Sequence, residues 1–383
     1  MLFHLLRPWF TKFGGTLYDR RWLKVVEDIY NWHYRSERYL RNEESLARVA
    51  MVYSQQTANF YGGESARLKV EDHTLGMYHA LIEARVPFEM AHDRLLDPEH
   101  IDHFKLLILP NIAALSEAQC EQLRQYVSRG GSLLATHETS LYDEWGVRRQ
   151  NFGLSSLFGV KFNGRIEGPM QNSYLRLEDK RHPILAGFGD TERIINGVRR
   201  VDVSAIEKFP NPPLTLIPSY PDLPMEMVYP RVPKTDIPEV YLREIGKSRI
   251  VYFPWDIDRV FWEVLSVDHG RLLRNAVEWA ANEEKPVTVS GHGVLDVTVW
   301  RQKESMTVHL VNLTNPMMMK GPFREVIPIA GQEVKVVLPK GKKARKVQLL
   351  VAGGSPRVRE APGFITLTVP SIEVHEVVAI DLG

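Results

Sequence analysis

Cysteine is almost missing from this sequence: the 383 residues hold one, Cys120, which excludes an intrachain disulfide and any paired-cysteine metal site. A lone thiol agrees with a reducing compartment, and the expected location is cytoplasmic. Charge of one sign is missing too. The 48 Lys and Arg stand against 47 Asp and Glu, which leaves no broad field to hold a phosphate backbone or an anionic bilayer, so neither nucleic acid nor membrane is expected as a partner. No apolar run approaches the roughly 18 residues of a bilayer span. The opening Leu2 to Leu6 block is too short for a signal-peptide core, lacks a basic lead-in and ends at Arg7-Pro8. There is no Gly-x-Ser-x-Gly elbow, phosphate loop, dinucleotide fingerprint or His-Glu-x-x-His pair, and the 13 histidines show no ligand spacing. No cofactor and no metal are expected.

What is present has the composition of a globular protein, 44% hydrophobic and 25% charged, and the length exceeds what one core usually serves. Between Trp22 and His33, apolar residues at Val25, Val26, Ile29 and Tyr30 have helical spacing, which predicts a helix with one face buried. From about residue 47 strands and helices alternate. Ala47 to Tyr53, Pro87 to Ala91, Leu106 to Leu109, Ser132 to Ala135 and Arg249 to Phe253 read as strands. The first is followed by a loop holding Tyr61, Gly62 and Gly63, then by a helical pattern over 67 to 85. Strands apolar on both faces and separated by helices argue for a mostly parallel sheet covered on each side.

The best-punctuated helix starts at Ser116, which has capping-box spacing to Gln119, and stops at Gly130-Gly131. Cys120 continues its apolar stripe and reads as a packing residue. Nine prolines from Pro210 to Pro238 rule out a regular helix or central strand and suggest an ordered excursion or lid. Leu272 to Trp279 read as a closing helix that ends near Asn282. Beyond Lys285-Pro286 the period becomes two residues, at Leu295-Val297-Val299, Val308-Leu310, Val334-Val336, Val347-Leu349, Ile365-Leu367-Val369 and Val377-Ala379, which predicts a β-sandwich. Met317, Met318 and Met319 read as an apolar plug in a loop.

In an open parallel sheet the loops beyond the strands' carboxyl ends form the natural crevice. Four such tips can be named: Ser54-Gln55-Gln56, Pro110-Asn111, Thr136-His137-Glu138 and Trp255-Asp256-Ile257-Asp258. An imidazole beside a carboxylate, His137 and Glu138, has the chemistry for acid and base roles; a structural, hydrogen-bonding role is the alternative. Trp255, Asp256, Asp258, Trp262 and Glu263 combine aromatic faces with carboxylates, as a sugar site does; the alternative is that the tryptophans close the core and the acids cap the next helix. A glycosidase requires two carboxylates facing one bond at about 5 to 9 Å.

The strand and helix order, with Arg48-Val-Ala-Met-Val-Tyr-Ser54, Leu106-Leu-Ile-Leu-Pro-Asn111, the Leu115 to Gly131 helix, Ser132-Leu-Leu-Ala-Thr136 and Tyr142-Asp143-Glu144, resembles the class I glutamine-amidotransferase-like trimerisation domain of family 42 β-galactosidases. Pro8-Trp-Phe10, Gly14-Gly15 through Trp22, Tyr53-Ser-Gln-Gln-Thr57 and Phe60-Tyr-Gly-Gly63 are similar to the group called hypothetical glycosyl hydrolase 6, in which a barrel precedes such a domain.

The resemblance implies a flavodoxin- or amidotransferase-like open sheet over 46–285, with the Pro-rich excursion 210–238 inside it, then an all-β sandwich over 286–383. Residues 1–45 would be the last segment and helix of an upstream barrel that holds the catalytic carboxylates. It further implies a homo-oligomer, a trimer by family habit, with a barrel on the same or a separate chain, and an edge of Gln55, Asn59, Tyr61 and Trp255 bordering a sugar site. An amidotransferase would carry its nucleophilic cysteine after Ala135, where Thr136-His137-Glu138 stands here, so that activity is not expected. The expected function is a non-catalytic assembly part of a glycoside-hydrolase-like protein. Its rivals are a small hydrolase using His137, Glu138, Asp256 and Asp258, and a carbohydrate-binding protein without catalysis.

Overall fold

The structure, a computed structural model, describes residues 9–11, 18–222, 224–314 and 325–383. The Met317 to Met319 plug, Pro8 and Gly14-Gly15 lie outside the described residues. The chain is a mixed α/β protein of several sheets and forms two compact units, one of Arg48–Ala84 with Phe88–Glu284, the other of residues up to Ala47 with Arg85–Pro87 and Lys285–Gly383.

The first of these units is built on a six-stranded sheet ordered Tyr241–Ile245, Ser248–Phe253, Ser132–Thr136, Leu106–Leu109, Val49–Tyr53, Phe88–His92. The Tyr241–Ile245 edge is antiparallel and the other five strands are parallel, running 2-1-3-4-5 across the sheet when numbered in chain order. Leu106 to Leu109 and Leu133 to Ala135 are fully buried, as strands covered on both faces must be. The longer helices are Asp72–Glu83, Glu117–Ser128, Ile257–Val264 and Val267–Ala281, with single turns at Pro98–Ile101 and Ser155–Phe158.

Ser116 accepts from the Gln119 backbone N–H while the Gln119 side chain reaches back to the Ser116 N–H, a capping box of about 1 kcal/mol. Asn282 ends the closing helix in the left-handed conformation.

Between Ser140 and Pro238 the chain adds antiparallel strands too short for a clear two-residue period. Val160–Glu167 pairs with Arg200–Ala205, and Tyr174–Leu177 lies between Leu214–Ile217 and Arg193–Ile195. The Pro-rich stretch therefore contains a strand, Leu214–Ile217, at a sheet edge where a proline-flanked segment loses no ladder bonds on its open side. The supposed loop at 54 to 66 is largely helical, with turns of π geometry at Thr57–Gly62 and Arg67–Glu71; the Gly62-Gly63 pair hid them.

The second unit holds two antiparallel sheets around one apolar core. One contains Glu44–Ser45, Leu295–Gln302, Ser305–Asn312, His375–Leu382 and Ala344–Leu349; the other contains Val287–Ser290, Ile329–Val337, Phe364–Ile372 and Val358–Ala361. The helix Leu23–Ser36 is tied down through Trp32, whose indole N–H donates to the Leu350 carbonyl at 2.8 Å. Its expected buried stripe is largely open instead: Val25 is 61% exposed, Ile29 45% and Tyr30 40%, while Trp22, Val26 and His33 are half-buried. The helix docks by the side that carries Trp32, which leaves the apolar stripe facing away.

A cleft at the strand tips

The parallel strands end in a cleft of about 470 Å³, within the range of small-molecule sites. Of the residues singled out from sequence, Tyr61, His137, Glu138 and Asp256 line it, joined by Lys69, His73, Tyr142, Arg199 and Arg259. Its floor is the loop after Ser132–Thr136. His137 has φ +51° and is buried; its backbone N–H donates to the Phe253 carbonyl at 2.8 Å, and its carbonyl accepts from the Tyr252 hydroxyl at 2.7 Å. Both ring nitrogens of His137 are buried with no hydrogen-bond partner among the described residues. Burial holds this imidazole below its ordinary pKa, opposed by Glu138, so the neutral form is favoured.

Glu138 is the most elaborated group in the cleft. Its carboxylate accepts from the Tyr61 hydroxyl and, at 3.2 Å, from the Tyr142 hydroxyl; its backbone N–H donates to Asn111 Oδ1 at 3.0 Å. The two tyrosine rings tilt against each other at 4.8 Å. Burial raises the Tyr61 hydroxyl well above its ordinary pKa, and the Glu138 charge adds to the effect. Asn111, with φ +46°, also donates to the Lys69 carbonyl at 2.7 Å, which ties the third strand tip to the helical segment that supplies Lys69 and His73.

The two aspartates are committed elsewhere. Asp256 Oδ1 accepts from the Val198 and Arg199 N–H groups at 2.9 and 3.0 Å, and Oδ2 lies 2.8 Å from Arg259 Nε. Asp258 Oδ1 receives His73 Nδ1 at 2.7 Å and Oδ2 receives the Thr136 hydroxyl at 2.7 Å. Both pin the loop and helix that frame the cleft. His73 stacks on His137 with ring centroids 5.7 Å apart.

Trp255 is wholly buried, its N–H donating to the Glu239 carbonyl at 2.9 Å and its ring edge-on to Phe253 and His269. Trp262 is half-buried beside His79, away from the cleft. Gln55 and Asn59 are exposed and do not line it. The first strand tip serves capping: Ser54 Oγ accepts from the Thr57 N–H at 2.9 Å, and Gln56 donates to Ala114 and Gln119. Sequence reasoning missed His73 and Lys69, although four-residue spacing on one helical face was a usable signal. Among the described residues no cluster of His, Cys, Asp or Glu has metal-holding geometry, and no helix is long and apolar enough to cross a membrane.

No curated protein sequence matches the chain. Among solved structures it is similar to the alpha-L-fucosidase isoenzyme 2 of Paenibacillus thiaminolyticus, at 17% identity and TM-score 0.72, covering 95% of this chain and 53% of that one. A β-galactosidase from Bacillus circulans sp. alkalophilus follows the same fold at 13% identity and TM-score 0.64, covering 94% and 45%. A family 42 β-galactosidase from G. stearothermophilus does so at 16% and 0.59, covering 100% and 48%. The chain thus spans about half the length of these structures. Residues 47–163 match the family described as the beta-galactosidase trimerisation domain.

Proposed function

We propose that this chain is a non-catalytic assembly part of a glycoside-hydrolase-like protein, one that holds copies of itself together, in threes. The observation that carries this reading is an exposed aromatic anchor inside the matched segment. Trp145 is 67% exposed, Val147 62% and Phe60 50%, and the Phe60 and Trp145 rings meet edge to face at 5.4 Å. The anchor is rigid before any partner arrives: Asp143 Oδ1 accepts from the N–H groups of Trp145 and Val147 at 3.0 and 2.9 Å, and a Cβ at Gly146 would meet the Phe60 carbonyl at 2.2 Å. A preordered, solvent-exposed aromatic pair is the kind of surface that carries association energy.

The order 2-1-3-4-5 of the parallel strands is that of flavodoxin-like doubly wound sheets, and it supports reading this unit as amidotransferase-like in fold. It is not an amidotransferase in chemistry. Cys120 is buried on a helix and burial pushes its thiol up to about 11.

The open stripe of Val25, Ile29 and Tyr30 fits a barrel packing there, on the same or a separate chain, and exposed Gln55 and Asn59 fit an edge that borders a neighbour's sugar site; Trp255 is too deeply buried to contribute. A buried free thiol is consistent with a cytoplasmic setting. The small-hydrolase alternative is weakened because Asp256 and Asp258 have their oxygens occupied by backbone, Arg259, Thr136 and His73.

Size-exclusion light scattering with chromogenic galactosides and glucosides assayed on the same fractions tests this. A discrete oligomer without hydrolysis is expected, and a monomer that turns over a glycoside overturns it.

A further inference from the structure

We infer that the strand-tip cleft is a binding site for a neutral, hydroxyl-rich molecule of monosaccharide size, gripped by His137 and Glu138. This goes beyond the assembly reading and does not depend on it, because every lining residue belongs to one compact unit of a single chain.

The starting point is His137. A buried polar group without a partner costs about 1 to 3 kcal/mol, so a native protein rarely keeps two on one ring unless something outside the chain completes them. His137 is 4% exposed and lines the cleft, and both its ring nitrogens are unpartnered among the described residues. Its neighbours do not supply the missing bonds: His73 stacks on its face, and Glu138 is engaged by Tyr61 and Tyr142.

A neutral imidazole presents one N–H and one bare nitrogen, so its complement must both donate and accept. A hydroxyl does both. The Glu138 carboxylate retains acceptor capacity beyond its two tyrosine bonds, and a second hydroxyl on the same ligand can donate to it.

Charge decides the rest. The lining sets Lys69, Arg199 and Arg259 against Glu138 and Asp256, and Arg259 is already paired with Asp256 at 2.8 Å, so charges of both signs are interspersed and no strong field of one sign recruits a charged ligand. A ligand with no net charge meets no uncompensated repulsion from either set. The remaining walls, Leu68, Ile166, Pro169 and Val198, are apolar and suit the C–H face of a sugar ring, and about 470 Å³ accommodates one ring with water. Lys69 lies over the Tyr61 ring, its ammonium 5.1 Å from the ring centre.

The test follows the histidine ring signals of the full chain by nitrogen-detected NMR during separate titrations with D-galactose, D-glucose, D-mannose and L-fucose. Galacturonate and galactosamine serve as charged controls on the same ring. At least one neutral sugar should shift the His137 ring nitrogens saturably, and both charged controls should bind at least about tenfold more weakly. His137→Asn, a residue that tolerates the positive φ, and Glu138→Gln should each weaken binding about tenfold while the thermal midpoint shows the chain folded. If one variant fails to fold, the other still decides. The inference is overturned if none of the four neutral sugars shifts His137 at 100 mM, if a charged control binds as well as the neutral sugar, or if a folded variant binds as the parent does.

Discussion

His73 on the helix Asp72–Glu83 and Asp258 on the helix Ile257–Val264 meet at 2.7 Å, and this one buried contact joins the two helices across the back of the cleft. It is possible because Gly76, one turn further along, lets the helices touch: a Cβ there would fall 1.8 Å from the Asp258 carbonyl oxygen. That obstacle is backbone and cannot rotate away.

Gly76→Ala is accordingly expected to destabilise the chain by about 3 kcal/mol, the upper range for forced overpacking, despite alanine's better helix propensity. Urea unfolding measures it. A variant as stable as the parent would mean the helices do not sit this close.

Cys120 gives a second expectation. Its side chain is buried, Gly153 approaches so closely that a Cβ there would lie 2.6 Å from Sγ, and burial pushes the thiol up to about 11. At pH 8 the folded chain should consume no Ellman's reagent, and one equivalent should react after denaturation. Prompt reaction of the folded chain would contradict the packing.

Much of this architecture was readable in the residues. Leu106 to Leu109 is apolar on both faces because helices cover both sides of the sheet, and the Ser116 to Gln119 spacing announced its capping box. What escaped has physical causes. The short strands between 160 and 217 alternate too briefly for a period to emerge, and the π-type turns around Tyr61 are interrupted by glycines that read as loop. Trp255 beside two aspartates looked like sugar-binding chemistry, but the Glu239 carbonyl that fixes its indole comes from 16 residues away in sequence, on a segment no local pattern connects to it. His137 and Glu138 were visible as a pair; the orphaned ring nitrogens were not, since only the fold determines what fails to reach them.

In the sandwich unit, burial depresses His375 from 6.5 to about 4; its Nε2 lies 3.4 Å from His309 Nδ1 and its ring meets the edge of Trp32. Between those two pKa values the unfolded chain binds more protons than the folded one, so stability rises with pH. The neutral histidine's contribution is complete above pH 6.5 and is lost as pH falls toward 4, a change of order 3 kcal/mol. His375→Gln should flatten the pH dependence of urea unfolding between pH 4 and 6.5. An unchanged slope would remove His375 as its source.

The central claim is that the matched segment assembles copies of this chain through the exposed Phe60 and Trp145 pair. Light scattering of the parent and of Trp145→Asp, at matched concentrations, tests it most directly. Desolvating a carboxylate at the centre of an interface should convert a discrete oligomer, three copies in our reading, into monomers that keep the parent's circular dichroism. A parent that is monomeric at high concentration, or a Trp145→Asp variant that assembles as the parent does, would contradict the account.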